Sequence, residues 1–404
     1  MLGAHQPEVE IVADATLSSR TDPWLDGHRV DGLTLPPAVV GLEAMAQAAS
    51  AVAGRALTTA ERVRFDRPIV IPADGERVLR VCALRDGDTI FAVLRSAESG
   101  FDVDHFRAEF PLSPRTAGPM PDLVPDRGRI EPGELYGRLL FQSGPFRRVV
   151  DAAAPDPWSC RATVTLDDGD PWFTSVLGDP AAHDATIHVL QACVPARRLL
   201  PVGCDRVEMS PHPRGPWRLR GVERHAEDGH YLWDVLAEDA EGRLAVRWTG
   251  LKLADSGPLP DDRPWSSSLL SILVTRTAVA LGLDRSLRVT IGEPFTVDVA
   301  GDCPATGAWE PVGPRSVTSD ESLLRVMEGP CAESRETLAT RASVISRCLE
   351  QRNIPPSAVE FSGVYDGGWL VLRAGDARIA SAVVPVAGCP HPVALAILTA
   401  RGTP

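Results

Sequence analysis

The chain has 404 residues, of which 44% are apolar and 24% charged, and its net charge is −13. That length suits two or three domains with real cores, and an acidic balance without a basic stripe excludes nucleic acid and anionic membranes as expected partners. Residues 1–20 lack a signal-peptide pattern, no apolar run approaches about 18 residues, and the 8 scattered cysteines show no zinc spacing, as expected of free thiols in a reducing cytosol.

From the N-terminus, residues 9–17 alternate like a strand. His28 follows, four residues before Gly32 and nine before Pro37. Gly32 permits a turn with positive φ, and Pro37 can occupy the first position of a helix predicted over residues 38–54. Leu42, Met45, Ala46 and Ala49 form the apolar face of that helix. Strand-like runs follow at residues 63–71, 77–85, 89–96 and 102–110, and residues 113–129 read as a linker rich in Pro, Gly and Asp. The plan then repeats. Residues 159–166 read as a strand and 180–194 as an apolar helix, with strand-like runs at 206–210, 217–224, 231–237 and 244–254. One helix followed by a meander of strands, twice over, implies a sheet wrapped around a helix and duplicated. A second linker at 255–264 precedes a helical pattern at 265–282, a strand at 295–299, a helix at 334–351 and strands at 369–372 and 393–398.

Two segments carry chemistry. His28 beside a helix start combines a base with backbone N–H groups that lack internal partners, although a histidine there is by itself more often structural than catalytic. In the second half, Asp184 sits in an apolar helix with His188 four residues later on the same face. If the pair is buried, burial is expected to raise the Asp184 pKa and hold it as an acid; if exposed, it is an ordinary surface pair. His183 points about 100° away and reads as structural.

With those residues in place, the chain resembles the dehydratase domains of polyketide synthases. The resemblance rests on His28, Gly32 and Pro37 in one repeat and on Asp184 and His188 in the next. It extends to the lead-in from Asp22 to His28 and to Leu135 through Phe146, including Tyr136, Gly144, Pro145 and Phe146. The run Gly41 to Ala49 is similar to enediyne-type and other iterative synthases. The resemblance implies an α+β double hotdog, two helix-wrapped antiparallel sheets, with halves at 1–112 and 129–256 around a linker at 113–128. It implies that His28 takes the α-proton of a 3-hydroxyacyl thioester and that Asp184 protonates the departing hydroxyl. Ala38 stands where the family places Gly after the motif Pro; it keeps the N–H but adds a methyl group.

Residues 257–283 read as linker and helix. Residues 284–404 resemble a phosphopantetheinyl transferase domain of α/β type, through Phe295 to Gly301, Trp309 to Pro311, Ala339 to Arg341 and Gly367 to Trp369. In that alignment Ala308 replaces a metal-binding Asp and leaves Glu310 alone, while Arg347 and Glu350 stand where the family has Glu and Lys. A degenerate, inactive domain is therefore expected.

The expected function is dehydration in polyketide biosynthesis, with no metal and no cofactor of its own; the substrate rides on the phosphopantetheine of an acyl carrier protein. The same acid–base pair could instead shift a double bond or close an oxygen ring, and a non-catalytic scaffold is the reading from another class. Expected partners are an acyl carrier protein or polyketide synthase, with the chain a monomer or homodimer in the cytoplasm. No ketosynthase, acyltransferase or carrier motif appears, so the chain is expected to act in trans or to be a piece of a larger synthase; the initial Met slightly favours the former.

Overall fold

The computed structural model describes residues 10–114, 118, 120, 129–130, 132–166, 175–210, 213–259, 263–292, 296–313 and 320–400. The chain divides into two compact units, Met1–Leu259 and Pro260–Pro404.

In the first unit, β1 (Ile11–Leu17) precedes a short hairpin, β2 (Arg29–Val30) and β3 (Leu33–Thr34), and then α1 (Ala38–Ala53). Four strands follow, β4 (Thr59–Phe65), β5 (Arg77–Asp86), β6 (Thr89–Ser96) and β7 (Asp104–Pro111). The second half comprises β8 (Arg129–Ile130), the single turn α2 (Pro132–Leu135), β9 (Val149–Asp156), β10 (Ser159–Val164) and α3 (Pro180–His188). It closes with β11 (Arg197–Met209), β12 (Trp217–Glu227), β13 (His230–Glu238) and β14 (Leu244–Pro258).

All but the β2–β3 hairpin join one 12-stranded sheet, in the order β1-β5-β6-β7-β4-β11-β14-β13-β12-β10-β9-β8. The two sheets expected from the repeat are thus edge-joined halves of a single sheet. The seam is the antiparallel pair β4–β11, from Arg64 opposite Gly203 to Thr59 opposite Glu208. Pairing these edges satisfies two rows of backbone groups that separate sheets would leave open. The seam also needs a residue without a side chain: Gly203 has φ +147°, and a Cβ there would lie 2.3 Å from the Val63 carbonyl oxygen.

Helix α1 lies against β5, β6 and β7 and buries Leu42, Met45, Ala46 and Ala49. Glu43 on the same helix is also buried. Its carboxylate accepts the backbone N–H groups of Val176 (2.7 Å) and Leu177 (2.8 Å) and the Gln47 side-chain amide (2.7 Å). A helix of the first half therefore anchors the segment that enters α3 in the second.

Several sequence expectations shift. The strand predicted at 63–71 is β4, Thr59–Phe65, and Ile71 makes only a bridge to Thr34. Pro68 lies within that stretch and Pro72 follows it, and neither can donate to a ladder. β9 and the first part of β11 escape a period-2 search because β9 contains an Ala run and β11 slips register around Pro201. The helix predicted over 180–194 is α-helical only to His188 and tightens to a 3-10 turn over Val189–Cys193. Most of the linker predicted at 113–129 lies outside the described residues.

In the second unit, α4 (Ser267–Ala280) packs on β15 (Arg288–Gly292), which pairs with β16 (Thr296–Ala300). The Thr275 and Ser271 hydroxyls of α4 accept the N–H groups of Val289 and Ile291 at 2.9 and 2.8 Å. The helix expected in a linker is thus part of this unit; of the strand predicted at 295–299, Phe295 lies outside the described residues. Next come β17 (Ala305–Pro311), α5 (Glu321–Glu328), α6 (Arg335–Glu350), β18 (Glu360–Tyr365), β19 (Trp369–Ala374), β20 (Ala377–Val384) and β21 (Val393–Ala400). These strands form a five-stranded sheet in the order β17-β21-β20-β19-β18. Every ladder in it is antiparallel, so the unit is α+β rather than the α/β type expected. Met327 of α5 and Ile345 of α6 pack with Leu372, Ile379 and Leu398 of the sheet in one core. The fully buried Arg341 braces α6 by donating to Glu333, to the Ser381 carbonyl and to the Gly368 carbonyl.

Replacing Glu43 by Ala leaves two N–H groups without their acceptor. Denaturant unfolding should show a loss of about 3 kcal/mol, with faster amide exchange at Val176 and Leu177. Unchanged exchange there would refute the anchoring role.

Candidate active site

The spacing from His28 to Pro37 is the geometry of a hairpin. Asp31 (φ 49°) and Gly32 (φ 80°) form its two-residue turn, a conformation that favours Asp-Gly. His28 and Leu35 face each other at its open end. The Leu35 N–H donates to the His28 carbonyl at 3.2 Å, and His28 Nδ1 lies 2.9 Å from the Leu35 carbonyl oxygen. A carbonyl only accepts, so the neutral imidazole carries its proton on Nδ1 and keeps the Nε2 lone pair free. Pro37 is the cap residue, with φ −54° and ψ 144°, rather than the first helical residue; α1 starts at Ala38. The N–H groups of Ala38 and Val39 have no acceptor within the helix.

Asp184 is placed by an equally well-formed helix start. Asp179 caps α3 by accepting the N–H groups of Ala181 (2.8 Å) and Ala182 (3.1 Å), Pro180 takes the first helical position, and Arg148 lies 3.5 Å from the Asp179 carboxylate. One turn on, Asp184 Oδ1 stands 3.6 Å from His28 Nε2 and 3.5 Å from His188 Nε2. His28, Asp184 and His188 are 5%, 2% and 6% exposed, which removes the surface-pair alternative. The cluster joins the two halves of the first unit.

The loop from Tyr136 to Phe146 closes the site. The Phe141 ring lies edge-on to His28 (4.9 Å) and to His188 (5.0 Å), and Phe146 meets His28 at 5.6 Å. Gly144 (φ 53°), Pro145 and Phe146 form a 3-10 turn, and the Ser143 N–H donates to the Gly27 carbonyl (2.8 Å), next to His28. The Tyr136 hydroxyl accepts the Val149 N–H at 2.7 Å, Arg147 stacks on its ring at 4.6 Å, and burial pushes its pKa up to about 12. Gly32, Pro37, Ala38, Tyr136, Gly144 and Pro145 thus shape backbone and walls, whereas His28, Asp184, His188 and Phe146 meet directly. Sequence reasoning missed Phe141 and Gln142. The Gln142 amide donates to Asp184 Oδ2 at 2.9 Å, and no local periodicity marks it.

The expectation that Asp184 is held neutral is corrected. Burial pushes its pKa up, but the adjacent His188 and His28 imidazoles outweigh it and hold the carboxyl well below the usual range. While an imidazole there carries a proton, the carboxylate is favoured; burial prevails once both are neutral. Two imidazoles and a carboxylate, with ligand atoms within 4.8 Å of one another, are also a donor set that can take a divalent cation. His183 is a different case. Its Nε2 lies 3.0 Å from the Leu177 carbonyl, its ring packs 5.2 Å from Trp217, and burial pushes its pKa down to about 4.

In the second unit, Ala308 is buried and offers no ligand atom. Glu310 accepts from the Ser343 hydroxyl (2.9 Å) and from Arg347 (3.0 Å), which also donates to the Trp309 carbonyl (2.8 Å). Glu350 is exposed at the end of α6. Of the two carboxylates among these four positions, Glu310 is thus engaged by a guanidinium and Glu350 lies at the exposed helix end.

Comparison with known proteins supports the same region. Residues 1–94 match the family described as polyketide synthase dehydratase domain, and residues 116–262 match the polyketide synthase dehydratase N-terminal domain. The chain is 31% identical over 231 residues to the spectinabilin polyketide synthase system protein NorA' of Streptomyces orinoci, covering 54% of this chain and 6% of that protein. It is 43% identical over 239 residues to polyketide synthase ThaG of Burkholderia thailandensis, covering 55% of this chain and 4% of that protein. The chain therefore spans only a small part of these curated relatives. Among solved structures, the dehydratase domain from the CurJ module of curacin polyketide synthase superimposes with a TM-score of 0.53 at 15% identity, covering 64% of this chain and 94% of that one. GphF dehydratase 1 variant P1711L, L1744P, described as isomerase-inactive, gives 0.51 at 21% identity, covering 61% and 92%. These neighbours are double hotdogs, and the large antiparallel sheet of the first unit has that fold.

The His183 environment predicts an acid limb in stability. Its folded pKa of about 4 lies below the ordinary 6.5, so the unfolded chain binds the extra proton first. The unfolding free energy should therefore be highest above pH 6.5 and fall towards about pH 4, with this residue contributing at most about 1.4 kcal/mol per pH unit. Denaturant titrations from pH 7 to 4 check this, and His183→Phe should flatten that window.

Proposed function

Residues 1–94 and 116–262 of this chain belong to the polyketide synthase dehydratase family, and from that premise we propose that the chain eliminates water from a 3-hydroxyacyl thioester carried on the phosphopantetheine of an acyl carrier protein. The observation that carries the proposal is the 3.6 Å approach of His28 Nε2 to Asp184 Oδ1 in a buried site. In the reactive state both imidazoles are neutral and the buried Asp184 carries the proton; His28 Nε2 then removes the α-proton, the bond between Cβ and oxygen breaks, and Asp184 supplies the proton that turns the departing hydroxyl into water. A 2-enoyl thioester remains. The proton now on His28 returns to the Asp184 carboxylate, which restores the starting state. Phe141 and Phe146 keep bulk water from the base, and the free N–H groups at the start of α1 polarise the thioester carbonyl. Ala38 preserves its N–H for that purpose.

Because the curated relatives are synthase systems far longer than this chain, the natural partner is an acyl carrier protein within or alongside such an assembly. Among the described residues no helix is long and apolar enough to cross a membrane. The second unit is read as a degenerate transferase-like domain: Ala308 supplies no metal ligand and Arg347 occupies Glu310. It serves docking rather than catalysis.

Incubating a carrier-bound 3-hydroxyacyl substrate with the protein should give loss of one water and enoyl absorbance. His28→Ala or Asp184→Asn should lower kcat by about 10²–10⁴-fold with the fold intact, and a chelator should leave the rate unchanged. A product with a shifted double bond or an oxygen ring would move the assignment to isomerase or cyclase. No turnover by the parent protein, with pathway output indifferent to both substitutions, would leave the scaffold reading. The second unit should transfer no phosphopantetheine from coenzyme A to an apo carrier with Mg²⁺ present; a holo carrier detected by mass would overturn its degeneracy.

A further inference from the structure

We propose that Gln142 is a positioning residue that determines which oxygen of Asp184 carries the mobile proton; this rests on the dehydration reading above. The Gln142 side-chain nitrogen lies 2.9 Å from Asp184 Oδ2, and both residues are buried, at 4% and 2% exposure. An amide nitrogen is only a donor. It bonds well to a bare carboxylate oxygen or a carbonyl-type oxygen, and poorly to an oxygen whose own proton points back at it. With Oδ2 engaged, the proton goes to Oδ1. That oxygen faces both imidazoles, 3.6 Å from His28 Nε2 and 3.5 Å from His188 Nε2. One hydrogen bond therefore orients the acid in both of its states.

The remaining contacts agree with that role. Gln142 Oε1 is buried and has no hydrogen-bond partner, so the amide holds an orientation that leaves its acceptor unsatisfied. The opposite orientation would set a carbonyl oxygen against a carboxylate oxygen, which is repulsive. The backbone on either side is fixed: Phe141 packs against both imidazoles, and the Ser143 N–H is bound to Gly27. Among the described residues, His28 from the hairpin and His188 from α3 act on the Asp184 charge, and Asp184 in turn acts on the more distant Tyr136 hydroxyl. Arg148, close to Tyr136, lies against Asp179. Gln142 is thus the neutral donor on the carboxylate and sits on the side away from the imidazoles.

The test is Gln142→Met, which keeps side-chain length and removes the donor, with Gln142→Asn, an amide too short to reach, as the second variant. Two readouts are needed. The Asp184 carboxyl, followed by carbon-13 NMR in the substrate-free protein, should titrate at higher pH in both variants. Dehydration should nevertheless slow, with kcat down about 10- to 100-fold and KM within about twofold. More of the acid form with less turnover is the signature of a proton on the wrong oxygen. A residue that only filled space would leave the titration in place, and one that only tuned charge would leave kcat equal or higher; either result overturns the proposal. If the parent protein yields no enoyl product, the dehydratase reading falls, and an unchanged carboxyl titration in the variants would separately reject Gln142 as the group that engages Oδ2.

Discussion

A carboxylate almost fully removed from water is the constraint on which the site depends. Asp184 is 2% exposed, and an isolated buried carboxylate is costly enough to take up a proton or unfold its surroundings. Here two imidazoles approach one oxygen and an amide binds the other. Those partners come from the β2–β3 hairpin end, from α3 itself and from the loop before β9. Satisfying one charge therefore brings three separate parts of the first unit together. The low-dielectric setting that makes the charge expensive also makes its proton responsive to the imidazoles beside it.

The duplicated halves use a buried acid in two ways. Each main helix carries one in its second turn, Glu43 on α1 and Asp184 on α3. Glu43 accepts backbone N–H groups at 2.7 and 2.8 Å and an amide side chain, and so is committed to structure. Asp184 is instead met by ionisable rings, which can exchange protons with it. The difference lies in the partners: backbone and side-chain amides cannot exchange protons with a carboxylate, whereas imidazoles can. Glu43 also steadies the entry to α3, so the structural acid supports the chemical one.

The second unit follows another logic. Its core closes around Met327, Ile345 and Leu372, and Arg341 is buried among carbonyl and carboxylate acceptors. Glu310 and Arg347 neutralise each other across β17 and α6. A guanidinium held there gives the carboxylate a permanent partner.

Much of this was legible in the order of residues. The His28–Gly32–Pro37 spacing encodes a hairpin turn and a helix start, because Asp-Gly adopts positive φ cheaply and proline suits a helix entry. The 3.6 period of α1 and the capping Asp179 and Pro180 of α3 are local, and local chemistry can be read from sequence. Tertiary structure alone decided the rest. The joining of two sheets through β4 and β11 pairs residues about 140 positions apart. The partners that set the Asp184 pKa are only partly legible in sequence: His188 lies on its own helix, whereas His28 and Gln142 reach it from more than 40 residues away. Spacing along a chain shows which side chains share a face, whereas a pKa depends on every charge within a few ångströms, whatever its place in the chain.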